Sequence, residues 1–115
     1  MDVGADVGIE ALSLDARRLR MLIGAHRDEI VARADALGIR NVRLCGSVAR
    51  GDAGPQSDID LVVDVDEGRS LFDLGELMLE LVMLLGVDVD VIDAEGARRS
   101  WSPSARRMAE EALAI

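Results

Sequence analysis

The chain has 115 residues, half of them apolar, which leaves room for one core and one domain. Its formal net charge of −9 argues against a nonspecific nucleic-acid binder, which needs a basic face to displace counterions. All 13 basic residues are Arg, and the absence of Lys, Tyr and Thr excludes a lysine nucleophile, a Schiff-base cofactor and self-modification on tyrosine.

Met1 to Leu12 is acidic and Gly-rich and reads as a loose leader (1–12), with the single domain expected over 13–115. It has no basic flank of the kind a signal peptide carries. The longest apolar run, Leu77 to Leu85, is interrupted by Glu80 and is too short to span a bilayer. A soluble cytoplasmic protein is therefore expected, with no membrane contact and no direct nucleic-acid contact. Cys45 is the only cysteine, so no internal disulfide can form, and it reads as a small buried hydrophobe on a strand.

Ser13 can cap a helix, with Asp15 favourably placed in its first turn. Leu19, Leu22, Ile23, Ile30, Ala34 and Leu37 then recur at helical spacing, and Gly38 supplies the stop. Gly24 weakens the middle, so a bend or a later start is expected there. His26 falls on the apolar side and reads as a packing residue. Asn41 to Cys45 alternates as a strand, and Gly46 to Ser57 is a turn-rich connection with room for a short helix after Ser47. Asp58 to Val65 alternates again, with Ile59, Leu61, Val63 and Val65 on one side and Asp58, Asp60, Val62 and Asp64 on the other. Ser70 to Leu85 reads as a helix with Leu71, Leu74, Met78, Leu81 and Leu85 along its seam, ended by Gly86. Val87 to Ile92 predicts a third strand, with Val87, Val89 and Val91 inward. Arg98 to Leu113 predicts a last helix, interrupted near Ser102-Pro103.

The chemistry gathers around two short motifs. Asp58 and Asp60 are two apart on a strand, so their side chains share a face. Two carboxylates held that close repel unless a cation sits between them, and Mg²⁺ suits such oxygen donors, completed by phosphate and water. Asp88 and Asp90 repeat the pattern, and one of them can converge on the same metals if the third strand lies beside the second. Three carboxylates around two ions about 4 Å apart would suit in-line phosphoryl transfer. An Asp-x-Asp alone reads as well as the polar face of an edge strand, but here Gly46-Ser47 directly follows a strand. A glycine at such a place lets a backbone N–H approach a phosphate, and a serine hydroxyl can donate to it. A Walker A loop is excluded because Asp52 stands where its lysine must be, and an EF-hand loop because apolar residues interleave the acids.

Gly46-Ser47, the 10 residues Val48 to Ser57, and Asp58-Ile59-Asp60 match the Gly-Ser-x10-Asp-x-Asp signature. On these residues the chain resembles the DNA polymerase β-like nucleotidyltransferases. The stretches Gly46 to Asp52 and Ser57 to Val63 look like their minimal nucleotidyltransferase (MntA-like) branch. The resemblance extends from about residue 17 to the end of the chain. It implies an α+β, two-layer polymerase β-like fold, a small mixed β-sheet with flanking helices. It further implies that Gly46 and Ser47 hold the β and γ phosphates of ATP, and that Asp58 and Asp60 bind two Mg²⁺ ions. Asp90, in the hydrophobic–Asp–hydrophobic strand Val89-Asp90-Val91, would complete one metal site and help activate the incoming hydroxyl. Arg50 sits where the family keeps an arginine near the phosphates, although a surface salt bridge explains it nearly as well. Cys45 departs from the family's usual phenylalanine, which affects packing beneath the turn and leaves the chemistry intact.

Relatives that modify antibiotics or RNA ends carry a further domain for the acceptor, so here another molecule is expected to present it. The resemblance implies a HEPN-domain toxin as partner, silenced by transfer of AMP to a tyrosine. Two other classes stay open: an antitoxin that acts by binding alone, and a stand-alone transferase for a small hydroxylated molecule. Candidate partner-facing groups are Phe72, Met78 and Met83, and Trp101 with Arg98, Arg99, Arg106 and Arg107. Trp101 fits core packing, base stacking or a partner contact.

Overall fold

The computed structural model describes residues 12–115, so the expected leader lies outside the described residues except for Leu12, whose side chain packs onto the core. The described residues form six helices and four strands. They are α1 Leu14–Ala25, α2 Arg27–Ala36, β1 Ile39–Cys45, α3 Gly46–Arg50, β2 Ile59–Val65, α4 Leu71–Leu85, β3 Val89–Asp93, α5 Ala94–Arg98, α6 Pro103–Glu110 and β4 Leu113–Ala114. The strands form one mixed sheet in the order β3-β2-β1-β4, with β2 and β3 parallel and the other pairs antiparallel. The α+β reading, a small mixed sheet with flanking helices, is borne out.

Local chemistry explains most element ends. Ser13 caps α1, its Oγ accepting from the Ala16 amide at 3.0 Å. The long first helix is broken at His26, two residues beyond the expected weak point at Gly24, which stays helical. His26 has φ −112° and is not a core residue; its Nδ1 lies 3.1 Å from Glu29 Oε1 in a partly exposed pair. A capping box of Ser70 and Asp73 opens α4, and Gly86, with φ +72°, closes it. In β1 the pairing slips between Arg40 and Arg43, where Asn41 takes a left-handed φ of +53°, a conformation that asparagine tolerates better than most side chains.

The main core lies between one sheet face and α1, α2 and α4. Ala16, Leu19, Ile23, Ile30 and Ala34 meet Leu44, Ile59, Leu61 and Val63 there. Helix α4 contributes Leu74, Leu77, Leu81 and Leu85. This corrects the expected seam: Leu71 is 81% exposed and Met78 is also exposed, while Leu77 is fully buried. Leu77 and Met78 both follow Leu74 at helical spacing, and contact with the sheet selects Leu77. A smaller cluster covers part of the opposite face, where Cys45 and Val62 pack against Ala94, Ala97 and Ala109 of α5 and α6. Cys45 is thus the buried strand residue expected. The predicted last helix is interrupted before Pro103 as expected, but its first part, α5, starts earlier at Ala94, and α6 gives way to the short strand β4. Trp101, in the break, is 96% exposed, which overturns the core-packing option. No helix among the described residues is long and apolar enough to cross a membrane.

Candidate active site

The site is assembled where three strand ends meet. Because β1 runs against β2 and β3 runs with it, the last residue of β1 lies beside the first residues of β2 and β3. Cys45 pairs with Asp60, and Asp60 pairs with Asp90, so the three stand in a row across the sheet. Strand alternation sets what each carboxylate faces. Ile59, Leu61 and Val63 enter the main core, which puts Asp60 on the other face, and Val89 enters it beside Asp90. Asp58 is exposed on the residue just before β2. Asp88 stands just before β3, and its carbonyl accepts from the Ile59 amide at 3.0 Å.

Gly46 is the joint between this row and α3. Its φ is +71°, and a Cβ at this position would sit 2.3 Å from Oδ2 of Asp60 and 3.1 Å from its Cγ. Only glycine meets both demands: the left-handed turn that leaves β1, and close approach of the backbone to the carboxylate. Ser47 follows in the first turn of α3, half-buried, and its carbonyl accepts from the amides of Gly51 and Asp52 at 2.9 and 3.1 Å.

The carboxylates feel one another. The Asp60 carboxyl is pushed up from an ordinary 3.8 to about 6, first by burial and then by the negative charges of Asp90 and Asp58, with Arg50 opposing them. Arg50 therefore acts electrostatically on Asp60 while also lying 3.4 Å from Asp52 in an exposed ion pair, the surface salt bridge the sequence allows. Asp64, further along the same face of β2, is engaged differently: it accepts from Asn41 Nδ2 and Arg43 Nη2, both at 2.9 Å.

Among the described residues, no three His, Cys, Asp or Glu side chains are gathered into a ready metal-binding group. The donor set nonetheless fits a hard divalent ion. All three candidates are carboxylates, and the proton affinity of Asp60 is raised first by burial and then by the charges of Asp90 and Asp58, all of which a bound cation would offset. Mg²⁺ commonly takes only one or two protein carboxylates and completes its shell with water and substrate phosphate.

A cleft of about 580 Å³ between α3 and α6 is lined by Gly46 but by none of the three carboxylates. Its walls include Gly46 and Arg50 on one side and Arg107, Met108 and Glu111 on the other. That volume lies in the range of small-ligand sites, about 300–1,000 Å³. The sequence offers Arg107 as a partner-facing group or an ordinary solvated helix residue; its place in this cleft depends on how α6 packs over Cys45 and Val62, which no local motif reports. Arg98 is exposed and Arg99 is paired with Glu95, and neither lines this cleft.

A mixed sheet with a Gly-Ser turn set against carboxylates on the two adjoining strands defines a phosphoryl-handling domain. Residues 26–115 match the model of the nucleotidyltransferase domain, and the chain belongs to that family. It is 35% identical to the protein adenylyltransferase MntA of Thermococcus cleftensis, over 69% of this chain and 77% of that protein. It is 44% identical to a provisionally named protein adenylyltransferase of Methanocaldococcus jannaschii, but over 48% of this chain and only 59% of that protein. A solved structure provisionally described as a minimal nucleotidyltransferase superposes with a TM-score of 0.67 at 37% identity, covering 87% of this chain and 95% of that one. A toxin–antitoxin crystal structure with AMP-PNP superposes with a TM-score of 0.51 at 26% identity, over 59% of this chain and 56% of that one.

Proposed function

We propose that this chain is an Mg²⁺-dependent protein adenylyltransferase that transfers AMP from ATP to a hydroxyl of a partner toxin, and so serves as its antitoxin. The observation that carries the reading is the packing of Gly46 directly against Asp60, itself in register with Asp90 and flanked by Asp58. The name of the Thermococcus cleftensis relative supports transfer to a protein, and the toxin–antitoxin structure with AMP-PNP supports a toxin partner and an adenine nucleotide. The acceptor we favour is a tyrosine of a HEPN-domain toxin, and the compartment is the cytoplasm, where ATP is available.

The reaction is attack by the acceptor oxygen on the α-phosphorus of ATP. A new P–O bond forms in line with the bond to the bridging oxygen, which leaves with pyrophosphate. Asp58 and Asp60 would hold Mg²⁺, and Asp90 would complete one metal site. Bound there, Mg²⁺ would neutralise phosphate charge and orient the leaving group. Gly46 and Ser47 hold the β and γ phosphates through a backbone amide and a hydroxyl. Asp90, on the edge of the row, accepts the acceptor's proton. Arg50 offsets charge on the leaving group, and the cleft toward Arg107 gives the nucleotide room.

Incubation with ATP labelled on its α-phosphate, Mg²⁺ and the protein encoded beside this one tests the proposal. Label on that partner supports it. Tight association without label points to an antitoxin acting by contact, and label only on a small molecule to a stand-alone transferase.

A further inference from the structure

The family match begins at residue 26, so α1 lies outside it, yet α1 is fastened to the turn that carries Gly46 and Ser47. Helix α3 has only five residues, and the carbonyls at its C-terminal end have no helical partner of their own. Arg20 of α1 supplies one. Its Nε donates to the Val48 carbonyl at 3.1 Å and its Nη2 to the Ala49 carbonyl at 2.5 Å. A planar guanidinium bonded to two consecutive carbonyls fixes the direction of the helix as well as its position. The start of α1 holds the following turn. The Ser13 amide donates to the Gly51 carbonyl at 2.8 Å, and Ser13 Oγ to the Ala53 carbonyl at 2.6 Å. Leu12 closes over Gly51, where an added Cβ would fall 2.5 Å from its Cδ2. Four carbonyls between Val48 and Ala53 are thus taken by one helix and its cap, and none by the sheet that carries the carboxylates.

We propose that α1 is the back support of the phosphate-holding turn, and that Arg20 is a positioning residue for Mg²⁺-ATP. It acts through α3 and touches no reacting atom. Val48 is fully buried in the main core and anchors α3 at one point, and the bonds at its far end oppose a pivot about that point. A pivot would move Ser47 relative to Asp60, and a displacement of about 1 Å at such a site is enough to lose substantial activity. The effect on ATP rests on the proposal that Gly46 and Ser47 receive its phosphates; the support of the turn itself does not.

The test compares wild type, Arg20→Gln and Arg20→Lys, each well below its melting temperature. Mg²⁺-ATP affinity is measured by calorimetry, and hydrogen exchange is followed at the amides of residues 48–53. Arg20→Gln is expected to weaken ATP binding about tenfold and to speed exchange in that segment. Arg20→Lys, which keeps the charge and one bond, should recover part of both. Unchanged ATP affinity in an Arg20→Gln protein that merely melts earlier would overturn the positioning role. If wild type itself fails to bind Mg²⁺-ATP, the proposed function falls. Exchange at residues 48–53 then decides the support role, and identical exchange in wild type and Arg20→Gln would overturn it. Should Arg20→Gln not fold, the same comparisons are read from Arg20→Lys.

Discussion

Replacing Asp60 with asparagine should disable the protein and, without metal, make it more stable. The Asp60 carboxyl lies near 6 in the fold against an ordinary 3.8, raised by burial and then by Asp90 and Asp58. The native protein therefore holds this proton more tightly than the unfolded chain. The resulting stabilisation is complete below the ordinary value of 3.8 and is lost as pH rises through about 6. At about 1.4 kcal/mol per pKa unit the shift corresponds to roughly 3 kcal/mol, which solvent around this half-exposed group screens to about 1–2 kcal/mol. Asparagine keeps the shape and has no charge to lose. In EDTA at pH 7.5, Asp60→Asn should melt roughly 3–10 °C above wild type. The gap should close as pH falls toward 4. Added Mg²⁺ should raise the melting temperature of wild type and leave the variant unmoved. Calorimetry across pH 4–8 measures all three trends. A variant that melts at or below wild type at pH 7.5, or a gap independent of pH, would refute the claim that ionised Asp60, buried beside Asp90 and Asp58, destabilises the metal-free fold.

Other consequences can be checked on the same material. Gly46→Ala must place a Cβ 2.3 Å from Oδ2 of Asp60 at a φ of +71°, so it should lower AMP transfer at least about a hundredfold and cost about 1–2 kcal/mol in denaturant titration. Burial, with Asp60 adding to it, pushes the Cys45 thiol up to about 11, so the native protein at pH 8 should resist thiol reagents and react only on unfolding. Leu77→Ala should cost about 2–5 kcal/mol, whereas Leu71→Ala should change stability by less than about 0.5 kcal/mol. The reverse order would restore the seam through Leu71 and Met78.

What could be read from the sequence was what local chemistry decides. Ser13 and Gly86 act as caps wherever their helices pack, and strand alternation alone puts Asp60 opposite Ile59 and Leu61. The placement of Asp90 beside Asp60 needed only that β3 adjoin β2, which it does in parallel register. Tertiary choices were hidden. The apolar arc of α4 is too broad for spacing to choose between Leu77 and Met78. The two-residue β4 exists only because Arg43 and Leu44 offer it an edge. Arg20 carries no local signal, since the carbonyls it meets lie 28 and 29 residues away. Arg107 enters the cleft only through the alanine-lined packing of α6. Phe72, Met78, Met83 and Trp101, the apolar partner-facing candidates of the sequence, are all exposed.

The most direct test of the central claim maps the product. The neighbouring toxin is incubated with ATP, Mg²⁺ and either wild type or the Asp58→Ala, Asp60→Ala double variant, and its peptides are examined by mass spectrometry. The account predicts one AMP on a toxin tyrosine with wild type and none with a folded double variant. AMP on the toxin at equal yield with both proteins would contradict it.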